Sequence, residues 1–166
     1  MRIEWIEKYM VDAEKLIYEN QLTEGLALLD KLLYDEPGYG SLHNHIGWAY
    51  TYYTSDVEKA MLHLKMAIFF DATYAAPYLH MGNLCIRTGC YTEALKYLNK
   101  GLTALNPNKV AFMESIAQAY ELKKEYAKAV TAYKDALAST VGMESEKFTE
   151  GIKRCRKKRW VMMFSF

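Results

Sequence analysis

Apolar side chains recur with helical spacing in segments of about 14 residues along most of the chain, and short polar or Gly- and Pro-containing stretches separate the segments. The interruptions are Asn20-Gln21, Pro37-Gly38, Thr54-Ser55-Asp56, Arg87-Thr88-Gly89 and Asn106-Pro107-Asn108. This pattern predicts helices over about 3–19, 22–35, 40–53, 56–70, 74–88, 91–104, 109–122 and 126–139, and a ninth from about 143. Ser55-Asp56 followed by Glu58 predicts an N-cap for the fourth helix.

Two series of small residues recur in register with these helices. The first is Ala13, Gly47, Gly82 and Ala117, separated by 34, 35 and 35 residues. The second is Gly25, Ala60, Ala94 and Ala129, separated by 35, 34 and 35 residues. Because a small side chain lets two helix backbones approach closely, we expect a chain of helical hairpins that pack through one small residue per helix.

The residues around these small positions resemble the tetratricopeptide repeat (TPR) pattern. The third unit carries Tyr78, Met81, Gly82, Gly89, Tyr91, Ala94, Leu98 and Pro107. The second has Ile46, Gly47, Tyr50, Ala60, Leu64 and Ala67, and the fourth has Ile116, Ala117, Tyr120, Tyr126, Ala129, Tyr133 and Ala136. The first unit is the most degenerate, since Asp12 stands where the family has an aliphatic residue. The resemblance implies an all-α fold, a right-handed superhelical solenoid of stacked antiparallel hairpins.

The repeat spacing also predicts the domain organisation. Residues 1–142 form four hairpins, over about 6–39, 40–74, 75–109 and 110–142, and residues 143–166 form a capping helix with a basic and aromatic tail. The end of a solenoid needs such a cap, because each hairpin buries its apolar face only on its neighbours. Phe148, Ile152 and Cys155 follow the helical period and are expected to face the last repeat. The charged side chains between them are expected to face water: Glu144, Lys147, Glu150 and Lys153.

The tail and the rest of the chain carry net charges of opposite sign. Six of its seven residues from 153 to 159 are basic, so the remainder carries 15 basic and 20 acidic residues, although the whole chain is almost neutral. The cations are Lys153, Arg154, Arg156, Lys157, Lys158 and Arg159, and the apolar run from Trp160 through Phe164 to Phe166 follows them. A solvated helix end explains the cations, whereas an exposed apolar run usually marks a contact surface. We expect the aromatic residues to pack on the last repeat or on a second copy.

The composition indicates the cellular compartment in which the chain folds. Three cysteines without a CxxC pair argue against a disulfide framework or a zinc site and favour a reducing cytoplasm. The first twenty residues are charged and lack the apolar core of a signal peptide, so we expect no secretory leader. No apolar run is long enough to predict a transmembrane segment.

No catalytic constellation is visible, so we expect no enzymatic activity, no metal site and no cofactor. His43, Asn44 and His45 invite comparison with metal or nuclease motifs. However, two histidines at i and i+2 of a helix point to different faces and do not jointly hold an ion. His45 and His80 occupy equivalent positions in adjacent repeats and are expected to lie near each other.

The resemblance also implies a concave peptide-binding groove. The main predicted contacts are Asn44, Trp48, Tyr52, Leu79, Asn83, Ile86, Arg87 and Gln118. Further lining positions are Glu7, Met10, Glu14, Ile17, Tyr18, Thr51, Glu114 and Glu121. Amide side chains suit an extended peptide backbone, and Trp48 and Tyr52 would be rigid anchors. The alternative is that any solenoid has an inner wall of such residues and that Trp48 packs on the cap helix of its own chain.

These observations favour a protein or peptide partner bound in the groove without catalysis. One subclass is disfavoured: repeats that hold the C-terminal carboxylate of chaperones need basic residues where this chain has Met10, Glu14, His45, Ala76 and His80. Two alternatives remain open. One is a homo-oligomer joined through the tail, and the other is a peripheral binder of anionic surfaces through residues 153–159. Nucleic acid is a disfavoured partner.

Overall fold

The computed structural model describes residues 2–140 and 145–164. Within these ranges the chain forms nine helices and no strand. They are α1 (Arg2–Tyr18), α2 (Leu22–Asp35), α3 (Gly40–Tyr53), α4 (Val57–Phe70), α5 (Ala76–Arg87), α6 (Tyr91–Gly101), α7 (Lys109–Leu122), α8 (Tyr126–Ala138) and α9 (Ser145–Phe164). The predicted all-α class is confirmed, and most predicted bounds lie within a few residues of those observed. α6 ends earlier than predicted because Thr103 and Ala104 form turn hydrogen bonds to Lys100 and Gly101.

Local signals explain where several helices begin and end. The Asp56 side chain accepts a 3.0 Å hydrogen bond from the backbone N–H of Lys59, which confirms the predicted N-cap of α4. Asn108 caps α7 in the same way through the N–H of Ala111. Gly89, in the turn between α5 and α6, has φ +80°, a conformation that glycine adopts without steric cost.

The chain divides into two compact units, Met1–His80 and Met81–Phe166. In the first unit, α1 packs on α2 and α3, α2 on α3, and α3 on α4. Its small residues lie at these seams. A Cβ atom on Gly25 would lie 2.5 Å from Ile17 Cγ1 and 2.9 Å from the Ala13 carbonyl oxygen. A Cβ atom on Gly47 would lie 2.7 Å from two atoms of the Leu64 side chain. Close helix approach is therefore the reason for glycine at both positions.

In the second unit, α6 packs on α7, α7 on α8, and α8 on α9. α5 meets α6 where a Cβ atom on Gly82 would lie 2.5 Å from Leu98 Cγ. Phe148, Ile152 and Cys155 of α9 are buried, as their helical spacing predicts. Lys147, Glu150 and Lys153 are exposed as predicted, whereas Glu144 lies outside the described residues. One α9 residue that the prediction did not single out, Gly151, packs directly on the Tyr133 ring.

A histidine pair links α3 to α4. His43 Nε2 lies 2.9 Å from the carbonyl oxygen of Pro37, and its Nδ1 lies 3.1 Å from Nδ1 of His63. The carbonyl only accepts, so His43 donates through Nε2, and its Nδ1 is placed to accept the Nδ1–H of His63. Burial lowers the pKa of His63 to about 4, and electrostatic interactions with His43 and Lys59 act in the same direction. The His63 imidazole is therefore neutral near pH 7 in the folded chain.

We expect acid to destabilise the chain through His63. An imidazole whose folded pKa lies below its ordinary value contributes stability that is complete above about pH 6.5 and is lost as the pH falls toward about 4. Thermal melts at about pH 7 and about pH 4.5 should show a lower Tm in acid, and a smaller fall for His63→Gln. His80 titrates in the same range, so the variant removes only part of the fall. Equal falls in the wild type and the variant would contradict this assignment.

Candidate functional site

One side of α3 carries polar and aromatic side chains that meet residues of α1 and α5. We call this surface the α3 face and define it by six residues: Glu14 and Tyr18 of α1, His45, Trp48 and Tyr52 of α3, and His80 of α5. His45, Trp48 and Tyr52 lie on one side of α3 because residues three and four apart are neighbours on a helix. Two of the predicted groove anchors, Trp48 and Tyr52, therefore lie on this face.

The aromatic part of the α3 face is a cluster around Trp48. The centroid of its ring lies 5.5 Å from that of Tyr18 and 5.2 Å from that of Tyr53. The Tyr18 side chain is 67% exposed and that of Tyr52 is 45% exposed, whereas Trp48 is half-buried. Trp48 thus packs on α1 and on the end of its own helix, and the tyrosines around it remain accessible to a partner.

The polar part is organised by two histidines. His45 Nδ1 donates to the carbonyl oxygen of Ser41 over 2.7 Å, and its Nε2 lies 3.1 Å from the Glu14 carboxylate. His80 Nδ1 lies 3.3 Å from the Tyr52 hydroxyl. Burial, and to a smaller extent the nearby His45, lower the pKa of His80 to about 4. His80 is therefore a neutral acceptor for the Tyr52 O–H, and His45 and His80 lie near each other as predicted.

Asn44 lies beside this surface and is only 5% exposed. Its Nδ2 donates to the hydroxyl of Tyr74 over 3.3 Å. Its Oδ1 is buried and has no hydrogen-bond partner among the described groups. A buried acceptor without a partner costs about 1–3 kcal/mol, so a ligand that supplies an N–H here would recover that energy.

The other predicted groove residues are placed as follows. Leu79 is half-buried in the first unit. In the second unit Asn83 accepts a 2.8 Å hydrogen bond from Ser115, Ile86 is half-buried, and Arg87 and Gln118 are exposed. Three further lining positions were predicted wrongly. Met10, Ile17 and Thr51 are at most 3% exposed and belong to the core.

Glu121 of α7 is also not a free groove residue. Its carboxylate accepts two hydrogen bonds from the Arg154 guanidinium, at 2.7 and 2.8 Å, and one from Lys158 at 2.7 Å. The Tyr133 hydroxyl donates to the same carboxylate over 3.1 Å. The hydrogen bonds from Arg154, the largest cause, and from Lys158 lower the pKa of Glu121 to about 2 despite its burial. Glu121 therefore joins α7 and α8 to the capping helix.

Several solved structures share this arrangement of helices. MamA from Desulfovibrio magneticus RS-1 has a TM-score of 0.71 and 13% identity, with 95% of this chain and 93% of that chain covered. Another MamA structure has a TM-score of 0.70 and 16% identity over 97% and 96%. PilW, a widely conserved type IV pilus biogenesis factor, has a TM-score of 0.77 and 13% identity over 92% and 78%. Both are tetratricopeptide repeat proteins.

The chain has the tetratricopeptide repeat fold. No family model matches its sequence, and no curated protein is significantly similar to it. In this TPR fold, the small residues Gly25, Gly47 and Gly82 lie at the seams of the hairpins, and the α3 face uses the first helix of the second repeat.

The tail of the TPR domain differs from one of our expectations. Lys153 pairs with Glu150, and Arg154 and Lys158 pair with Glu121, so half of the basic run is engaged within the chain. The aromatic residues do not pack on the last repeat: Trp160 is 64% exposed and Phe164 is 65% exposed. The packing on the last repeat is therefore not found in the described residues, where the two rings lie 5.1 Å apart. Packing of these aromatic residues on a second copy stays a prediction. Phe166 lies outside the described residues.

The structure also bears on metal binding and on membrane spanning. Within residues 2–140 and 145–164, no group of three or more His, Cys, Asp and Glu side chains is arranged to hold a metal ion. In the same ranges, no helix is long and apolar enough to cross a membrane.

Proposed function

We propose that this chain is a non-catalytic protein-binding module that holds an extended peptide segment against the α3 face. The observation that carries the proposal is the exposed aromatic cluster of this face, set beside two histidines and an amide. Tyrosine and tryptophan supply large, rigid contact area, and polar groups next to them fix the direction of a bound backbone. The TPR fold supports a protein as the partner.

The polar groups suit a peptide better than a hydrocarbon ligand. Glu14 and His45 present a carboxylate and an imidazole within 3.1 Å of each other, and Tyr52 and His80 form a second polar pair. The buried carbonyl oxygen of Asn44 has no hydrogen-bond partner among the described groups, so a ligand N–H that reaches it would gain an acceptor. A peptide backbone offers both N–H and C=O groups at short intervals, so it is able to use donors and acceptors of this face together.

In the second unit, we propose that Asn83, Ile86, Arg87 and Gln118 contribute further contacts, and Leu79 does so in the first. Free buried thiols at Cys85 and Cys155 support a reducing compartment such as the cytoplasm.

The proposal is tested with peptides selected from a library of random short sequences displayed on phage. Fluorescence anisotropy then measures the Kd of the selected peptides for the wild type, Tyr18→Ala and Tyr52→Ala. Loss of an interface anchor costs about 2 kcal/mol, so we expect about thirtyfold weaker binding. Asn83→Ala with Arg87→Ala tests the second unit in the same assay.

Matched controls are Tyr34→Ala and Phe69→Ala, because these side chains are 89% and 77% exposed and lie outside the α3 face. We expect wild-type affinity for both and little change of Tm in all four single variants. Equal affinity of the peptides for the wild type and both α3-face variants would overturn the proposal.

A further inference from the structure

The capping helix continues well beyond the repeat that it covers. Its last buried residue is Cys155, and every residue from 156 to 164 is exposed. At 1.5 Å per residue these nine residues extend about 13 Å. A helix end of this length without buried contacts does not contribute to the core of its own chain.

The last five described residues of this helix form an apolar tip. Trp160, Val161, Met162, Met163 and Phe164 are 64%, 46%, 51%, 61% and 65% exposed. Successive residues on a helix are about 100° apart, so five of them cover every side of it. An amphipathic helix made for a protein surface would be apolar on one side only, whereas a helix that is apolar all round requires surroundings that are apolar on all sides.

A collar of cations precedes the tip. Arg156, Lys157 and Arg159 are exposed and form no ion pair with any group in the described part of the chain. The turn between α7 and α8 adds Lys124, which lines an open hollow together with Arg159, Met162 and Met163.

The acidic side chains around this collar do not cancel its charge. Glu125 lines the same hollow, but its carboxylate is paired with Lys123 at 2.9 Å and with Lys128 at 2.7 Å. Glu121 is paired with Arg154 and Lys158. The collar therefore keeps a net positive charge next to the apolar tip.

We propose that this end of α9 anchors the chain to anionic lipid bilayers. The apolar tip enters the boundary between headgroups and acyl chains, and the collar lies among the negatively charged headgroups. Five helical residues reach about 7 Å, which matches the depth at which interfacial segments bury their apolar side chains. Lipid surrounds the tip on all sides, which a protein surface does not, and a nucleic acid offers the collar phosphate but the tip no apolar contact.

Lys124 gives independent support. It has φ +64°, in the left-handed region, at the turn position where the preceding hairpin has Gly89 with φ +80°. A lysine is strained there and a glycine is not, so folding alone favours glycine at residue 124. The lysine instead adds positive charge beside Met162 and Met163.

The test is co-sedimentation of the full chain with vesicles of phosphatidylcholine containing phosphatidylserine, and with vesicles of phosphatidylcholine alone. We expect binding to the anionic vesicles, weaker binding as salt is raised, and little binding to the neutral ones. Trp160 reports insertion directly in a Trp5→Phe and Trp48→Phe background, where brominated lipid should quench its fluorescence.

Three sets of variants separate charge, apolarity and folding. Replacing Arg156, Lys157 and Arg159 by glutamine should reduce partitioning onto the anionic vesicles about a hundredfold. The matched control replaces three exposed lysines elsewhere, Lys31, Lys65 and Lys134, by glutamine and should have little effect. Trp160→Ser with Phe164→Ser removes the fluorophore, so it is measured by co-sedimentation, where it should abolish binding to the anionic vesicles. Lys124→Gly should weaken partitioning about fivefold and leave Tm equal or higher, because it removes charge and strain together.

Three outcomes would overturn the proposal. One is the absence of wild-type binding to phosphatidylserine vesicles at low salt. Another is a loss of partitioning in the control lysine variant that equals the loss in the Arg156, Lys157 and Arg159 variant. The third is a lipid-free dimer in sedimentation velocity that Trp160→Ser with Phe164→Ser dissociates, because a second copy would then cover the tip. Failure of this test leaves peptide binding by the α3 face intact, since the variants of the collar, the tip and residue 124 leave that face unchanged.

Discussion

Gly82→Leu should lower the Tm by about 6 to 12 °C. Even the first carbon of the new side chain would lie 2.5 Å from Leu98 Cγ, and Leu98 is completely buried and has no space to move into. Overpacking of a core costs about 1–3 kcal/mol and more when helices must separate, so we expect about 3 kcal/mol, which corresponds to that shift for a chain of this size. Thermal melts followed by circular dichroism measure the effect.

Two controls test whether the cause is the seam between α5 and α6. Gly38→Ala changes an exposed glycine whose Cβ atom would lie 3.6 Å from its nearest neighbour, so its Tm should remain within about 2 °C of the wild type. Adding Leu98→Ala to Gly82→Leu should cost less than the sum of the two single changes, because the smaller side chain makes room for the larger one. Strict additivity would show that Gly82 does not pack against Leu98.

Glu121→Ala should destabilise the capping helix by about 2–3 kcal/mol. The substitution removes the carboxylate that Arg154, Lys158 and Tyr133 share, and it leaves the Tyr133 hydroxyl without its acceptor in the core. Hydrogen exchange of α9 amides should accelerate more than that of α7 amides, because α9 depends on this contact. Glu93→Ala is the matched control, since its pair with Lys96 is exposed and should contribute less than about 1 kcal/mol.

The same carboxylate gives a pH signature in a different range from that of His63. Its folded pKa of about 2 lies below the ordinary value of 4.5, so its contribution is complete above about pH 4.5 and is lost as the pH falls toward about 2. The wild type should lose stability in that range and Glu121→Ala should lose less. Parallel pH profiles of the two proteins would show that Glu121 does not hold α9.

The hairpins were predictable because backbone packing at a seam imposes a side-chain size at a fixed interval. Gly47 and Gly82 have neighbours that leave no room for a Cβ atom, and the equivalent positions of the other two hairpins carry the small, completely buried Ala13 and Ala117. The capping helix was predictable for a related reason, because Phe148 and Cys155 must cover the end of the last repeat.

The charged contacts were not predictable from the repeat. Glu121 was assigned to a groove and Arg154 to a free basic tail, yet the two side chains meet 33 residues apart in the sequence. This pairing depends on how α9 is rotated about its axis on α8, and no repeat period specifies that rotation. The burial of Met10 and Thr51 was not predicted, because the resemblance to TPR repeats assigns positions to the groove without specifying how buried each side chain is.

We propose that the α3 face, and not the tail, binds the peptide partner. The chain carries three indole N–H groups in different places: Trp5 near the start of α1, Trp48 on the α3 face and Trp160 at the end of α9. A ¹H–¹⁵N correlation spectrum resolves one signal for each, and titration with a selected peptide shows which of them moves. We predict a saturable shift of the Trp48 signal while the Trp160 signal stays in place. A shift of Trp160 with Trp48 unchanged would contradict the account.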